Sequence, residues 1–134
     1  MTFEGSFIVD DSLRAEGGAL SYEVRLPWYR SLPLSCVEGI EVAIDGEPVD
    51  PARLHVELNG KRLAVEEFAP LWQEYWFVQD RARVVIDQAS AGEGQSTVRT
   101  RLDLRAPYIM VAPDTPLVVH TEVTKTLRVG GDER

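Results

Sequence analysis

Apolar residues recur at every second position along most of this chain, and that spacing narrows its fold more than any other feature. Leu20, Tyr22, Val24 and Leu26 alternate with Ser21, Glu23 and Arg25. Ile40, Val42 and Ile44 alternate with Glu41, Ala43 and Asp45, and Leu54, Val56 and Leu58 follow the same rule, as do Leu63 and Val65. The pattern returns at Tyr75 and Phe77, at Val84 and Ile86, along Val98, Thr100, Leu102 and Leu104, and in a long closing strand through Leu117, Val119, Thr121 and Val123. Successive side chains on a strand point to opposite faces, so a period of two gives each segment one apolar and one polar face. No long helical pattern competes with it. Only Val65–Leu71 has room for a helical turn, and Pro70 limits that.

The turn residues agree. Asp45-Gly46 and Asn59-Gly60 tolerate positive φ and fit tight hairpin turns, with Asn59-Gly60 joining Leu54–Leu58 to Lys61–Val65. The polar, glycine-containing stretch Asp87–Ser96 reads as a flexible loop, and Gly130–Arg134 as a frayed tail after about residue 129. Eight to nine short strands with frequent turns predict an all-β, antiparallel β-sandwich, jelly-roll or immunoglobulin-like in topology. A length of 134 residues fits a single domain over 1–134. Hydrophobic residues at 44% and charged residues at 27% suffice for a core without cross-links.

Charge excludes several partners. The net charge of -8 argues against a nucleic acid, which needs clustered Lys and Arg, and against an anionic membrane surface. No apolar run reaches the ~20 residues that span a bilayer. The single cysteine, Cys36, and the lack of a basic-then-apolar leader after Met1 lead to the expectation of a cytoplasmic protein.

No complete catalytic set is visible. His55 and His120 stand alone on separate strand segments, without H-x-H, H-E-x-x-H or C-x-x-C spacing. Cys36 has no signalled base beside it and reads as a small buried hydrophobe. Ser35 lacks the G-x-S-x-G context, and the acidic neighbours Asp10-Asp11 and Glu66-Glu67 would point to opposite faces of a strand. The expectation is therefore no catalytic residue and no metal ligand in this chain.

Two aromatic segments remain unexplained by a simple sandwich. Arg25–Ser35 carries Trp28, Tyr29 and Arg30 between two prolines. Leu71–Val78 places Trp72, Glu74 and Trp76 on one face of a strand, with Gln73, Tyr75 and Phe77 on the other. A strand with one solvated face should not carry large aromatics on both. Three readings follow: core and a packed loop, a subunit interface, or a carbohydrate-stacking platform. Trp, Tyr and Arg are the types that anchor interfaces, which makes Trp28, Tyr29, Arg30, Trp72, Tyr75 and Trp76 the interface candidates.

At these residues the sequence resembles the β subunit of bacterial C-glycoside deglycosidases. The likeness starts in Leu26–Ile40, with Tyr29-Arg30 and Pro33-Leu34-Ser35 leading into Val37-Glu38-Gly39-Ile40. It continues through Val42 to Asp45-Gly46-Glu47 and Val49, then at Glu74–Phe77, and closes at Leu102–Tyr108 as the family's terminal strand. It covers roughly residues 3 to 110. Asp87–Gln95, where the family has a glycine-rich turn, departs from it, as does the extension beyond Met110 with Pro113 and Pro116.

The resemblance implies a non-catalytic β-sandwich subunit of a carbon–carbon lyase. Its partner would be a TIM-barrel α subunit holding a divalent metal, manganese being the expected ion. Together they would cleave the bond between an aromatic aglycone and a 3-oxo-glucosyl group, the substrate being bound mainly by the partner. The implied reaction is an elimination in which a base removes the acidic proton next to the ketone. The competing reading is a stand-alone carbohydrate-binding or structural module.

Overall fold

A computed structural model describes residues 7–28, 30–89 and 94–129. The expected Gly130–Arg134 tail and residues 90–93 of the expected loop lie outside the described residues. The strands are β1 (Arg14–Glu16), β2 (Ala19–Arg25), β3 (Leu32–Pro33), β4 (Val37–Ile44), β5 (Glu47–Pro48) and β6 (Leu54–Leu58). They continue with β7 (Lys61–Ala64), β8 (Tyr75–Trp76), β9 (Arg81–Ile86), β10 (Gln95–Ala112) and β11 (Thr115–Arg128). All are antiparallel. One sheet has the order β1-β2-β9-β6-β7, a second has β11-β10-β4-β5, and β3 and β8 form a small third sheet.

The all-β sandwich expected from the alternation is present, with more strands than eight to nine. The additional ones are β1, β3 and β5, of only two or three residues and too short to display a period. Val65–Glu67 forms a 3-10 turn, as the chemistry of that segment allows, and Glu67 Oε1 accepts from the Ala64 amide at 2.7 Å. Asp45-Gly46 and Asn59-Gly60 adopt positive φ at both positions (51° and 87°; 56° and 75°). That matches the twist of the flanking strands, and the hairpins β4–β5 and β6–β7 form there.

The alternating residues meet between the sheets. Tyr22 and Val24 of β2, Val84 and Ile86 of β9 and Val56 of β6 pack with Val42 of β4 and Leu102 and Leu104 of β10. One polar contact crosses this layer: the Tyr22 hydroxyl lies 2.6 Å from Thr100 Oγ1, and both side chains are buried. Burial pushes the Tyr22 phenol well above its ordinary range, against the lowering effect of the Thr100 hydrogen bond, so it stays neutral. Tyr22→Phe strands the Thr100 hydroxyl in the core and is expected to cost about 1–3 kcal/mol. The double variant Tyr22→Phe/Thr100→Val should recover most of that in urea unfolding, because it removes both polar groups together. Equal losses in the single and double variants would count against this bond.

β10 and β11 depart most from expectation. The likeness had Leu102–Tyr108 as a terminal strand, and the expected loop reached Ser96. Instead β10 begins at Gln95, runs to Ala112, and turns at Pro113-Asp114 into β11. Pro113 fixes the first turn position, and Asp114 takes positive φ (61°) at the second. β4 accompanies β10 only between Val98 and Leu104. Past that point the two long strands continue as a ribbon that, among the described residues, pairs only within itself.

Candidate subunit interface

The segment Leu71–Val78 is not one long strand. Only Tyr75 and Trp76 extend, pairing with Pro33 and Leu32, while Leu71–Glu74 forms a loop. Backbone bonds fix that loop: Leu34 N donates to Glu74 O at 2.7 Å, Ser35 N to Leu71 O at 3.1 Å, and Trp72 N to Pro70 O at 3.0 Å. The shared face expected for Trp72, Glu74 and Trp76 therefore does not exist. Trp76 is 2% exposed and belongs to the core, its indole N–H donating to Asp80 O at 3.0 Å. Trp72 is 66% exposed.

The predicted turn at Asn59 has a second role here. Asn59 Nδ2 donates to Tyr75 O at 2.8 Å, and Lys61 Nζ lies 2.6 Å from Glu74 Oε1. The Lys61 hydrogen bond, followed by that of Asn59, holds the Glu74 carboxyl below its usual range. Tyr75 and Phe77 stack with ring centroids 6.1 Å apart.

The first aromatic segment packs on β10. The Trp28 indole N–H donates to the Tyr108 hydroxyl at 2.5 Å, and the Arg30 guanidinium lies over the Tyr108 ring, 4.6 Å from its centroid. Tyr29, the other candidate of this segment, lies outside the described residues. Arg105 pairs with Glu38 and donates to Ser35 O. Ser31 Oγ accepts from Val78 N at 2.8 Å. The stretch 28–35 is thus bonded to the Leu71–Val78 segment on one side and to β10 on the other.

Exposure singles out this end of the molecule. Among the described residues, the large apolar side chains open to solvent come from two places: Trp72, Tyr75, Phe77 and Val78, and Tyr108, Met110, Val111 and Val118 on the ribbon. Clustering of this kind marks an interaction surface, whereas scattered single residues would not. Sequence reasoning missed the ribbon half. Its signal was present: Pro107–Val118 carries Asp114 as its sole charged residue, so neither face of a strand there can be polar.

Elsewhere on the surface several titratable groups are paired with one another. His120 Nδ1 lies 2.6 Å from Asp103 Oδ1, and Arg101 Nε donates to the same oxygen at 3.1 Å. Burial raises the Asp103 pKa, but the hydrogen bonds from His120 and Arg101 outweigh it and hold the carboxyl below its usual range. His55 Nδ1 lies 3.2 Å from Asp87 Oδ2 but without hydrogen-bond alignment. His55 is on β6 and His120 on β11, in different sheets, so the two histidines do not converge. Among the described residues no three His, Cys, Asp or Glu side chains gather in a metal-binding group. Cys36 is buried, which pushes its thiol up against the lowering influence of Arg105 and leaves it a poor nucleophile. A depression of about 380 Å³ opens between Pro48, Val49, Leu54, Arg99, Arg101 and Glu122, and no aromatic side chain lines it. Among the described residues no helix is long and apolar enough to cross a membrane.

Exposed large apolar side chains in two mutually linked segments describe a component of an assembly, and sequence comparison says which. Residues 4–108 match the family described as C-glycoside deglycosidase beta subunit. The chain belongs to that family. It is 39% identical over 110 residues to the 3'-dehydrocarminate deglycosidase beta subunit of a Microbacterium species, covering 82% of this chain and 83% of that one. It is 35% identical over 121 residues to a C-glycoside deglycosidase beta subunit of Microbacterium trichothecenolyticum, covering 90% and 92%. A C-glycoside deglycosidase beta subunit of Arthrobacter globiformis is 32% identical over 115 residues, covering 84% and 87%. Membership in a family of beta subunits entails a companion subunit in a deglycosidase complex.

Proposed function

We propose that this chain is the non-catalytic β subunit of a cytoplasmic lyase that cleaves the C–C bond between an aromatic aglycone and a 3-oxo-glucosyl group. The companion α subunit is a TIM barrel that carries the divalent metal, manganese, and binds most of the substrate. The observation that carries the reading is the exposure of Trp72, Tyr75 and Phe77 in one segment and Tyr108 and Met110 in another, both bonded to the stretch 28–35, in a member of a beta-subunit family. Among the described residues, the donor sets do not fit a catalytic metal. Each His–Asp pair supplies two donors, on different sheets, where such a site takes three protein ligands. What this chain supplies is a rigid sandwich whose apolar end covers a complementary surface on the barrel.

The test is co-expression of the companion barrel with and without this chain, followed by cleavage of a purified 3-oxo C-glycoside with manganese present. The expected result is a stable complex and activity that depends on both chains. Full activity and stability of the barrel alone would overturn the proposal.

A further inference from the structure

The ribbon beyond Tyr108 poses a problem that the sandwich does not solve. An isolated two-stranded hairpin is marginal in water, and among the described residues no third strand pairs with this one past Leu104. Arg105–Ala112 carries it on the order of 25 Å past the last pair with β4. Met110 and Val111 are 59% and 61% exposed, and every residue from Met110 to Thr115 is exposed. At this tip the described residues cover neither face of the ribbon, while Ile109, Pro116, Leu117 and Val119 nearer its base are half-buried.

We propose that the β10–β11 ribbon is an arm that inserts into an apolar cleft of the α subunit, which covers both of its faces. This rests on the β-subunit reading and adds to it the docking element and the shape of the site that receives it. A flat partner surface would bury one face and leave the other in water. Edge pairing is disfavoured as well. Pro107 and Pro116 each lack an N–H, which disfavours an added strand and leaves side chains to make most of the contact.

Charge selects the occupant. From Pro107 to Val118 the arm carries only Asp114, near its tip, while Arg30 stands at its base over Tyr108. Arg30 is exposed and, among the described residues, faces no carboxylate. The receiving cleft is therefore apolar inside, with a carboxylate at its mouth to meet Arg30. A second copy of this chain is a poor occupant, because each copy carries a net charge of -8 and the two would repel.

The test uses the full chain and the companion barrel subunit. The variant Met110→Ser/Val111→Ser/Val118→Thr changes side chains that are exposed in the free chain. Its thermal unfolding should match wild type, and its dissociation constant for the barrel should rise at least a hundredfold. Arg30→Glu should weaken binding by a further tenfold or more, whereas Arg30→Lys should lose little. Amides 108–118 of the unaltered chain should gain hydrogen-exchange protection when the barrel is added, a readout that needs no variant. Wild-type affinity in the triple variant, or unprotected arm amides in the complex, would overturn the arm and leave the subunit reading standing. Lost self-association of the lone chain with unchanged barrel binding would assign the arm to a second copy and overturn the proposal too. If the unaltered chain fails to bind the barrel, the subunit reading itself falls, and the arm with it.

Discussion

Trp76→Ala is expected to lower the unfolding free energy by about 3–5 kcal/mol, the cost of emptying a large buried aromatic site. Trp76 is among the largest fully buried side chains of the domain, and its indole N–H is paired to Asp80 O. Truncation removes the apolar contacts and also strands that carbonyl. It further loosens β8, which is held to β3 by only two residue pairs. Total stability of a domain this size is on the order of 5–15 kcal/mol, so the variant should melt roughly 10–20 °C lower or fail to accumulate. Trp76→Phe retains most of the volume and should lie well under half of the alanine cost. Calorimetry on the isolated chain measures both. A loss below about 1 kcal/mol for Trp76→Ala would mean that the indole is not seated in the core.

Trp72→Ala, four residues away, is expected to do the opposite. The side chain is exposed, and in the free chain its removal should change stability by no more than about 0.5 kcal/mol. In the assembly, a central tryptophan of a desolvated patch contributes 2 kcal/mol or more on truncation, a loss of roughly thirtyfold in affinity. Trp72→Ala should therefore fold normally, dissociate from the barrel faster, and lose activity only when the subunits are dilute. Phe77→Ala should act in the same direction. Surface plasmon resonance on the assembled pair, beside a melting curve of the lone chain, separates the two tryptophans. Unchanged dissociation with Trp72→Ala would remove this residue from the interface and leave the ribbon as the contact to be tested.

The contrast between these tryptophans shows where sequence reading stopped. Alternation put Trp72 and Trp76 on one strand face. Alternation identifies a face only where the backbone stays extended, and here Pro70 and the bonds from Leu34 and Ser35 hold Leu71–Glu74 in a loop. Trp76 then turns into the core from a two-residue strand, and Trp72 turns out from the loop. Residue chemistry identified both segments as unusual for a solvated strand, and that much was legible. Which of the aromatics were buried depended on hydrogen bonds between segments about forty residues apart.

Tyr108 illustrates the same limit. Nothing local in Ala106–Met110 indicates that its ring receives Arg30 and that its hydroxyl receives the Trp28 indole. Those contacts form because β10 runs past the end of β4 and the stretch 28–35 fills the space beside it. The low charge of Pro107–Val118 was readable, but its meaning was not, because a charge-poor run is equally compatible with a buried core strand.

By itself, the sequence determined the all-β class, the hairpins at Asp45-Gly46 and Asn59-Gly60, most core positions and the family. Those properties follow from local side-chain period, turn conformation and residue identity. The tertiary structure alone decided that Trp76 is core while Trp72 is surface, that the two aromatic segments and β10 are bonded at one end, and that β10–β11 extends beyond its sheet. Each of these depends on where a strand loses its neighbour, and strand pairing joins residues far apart in the chain.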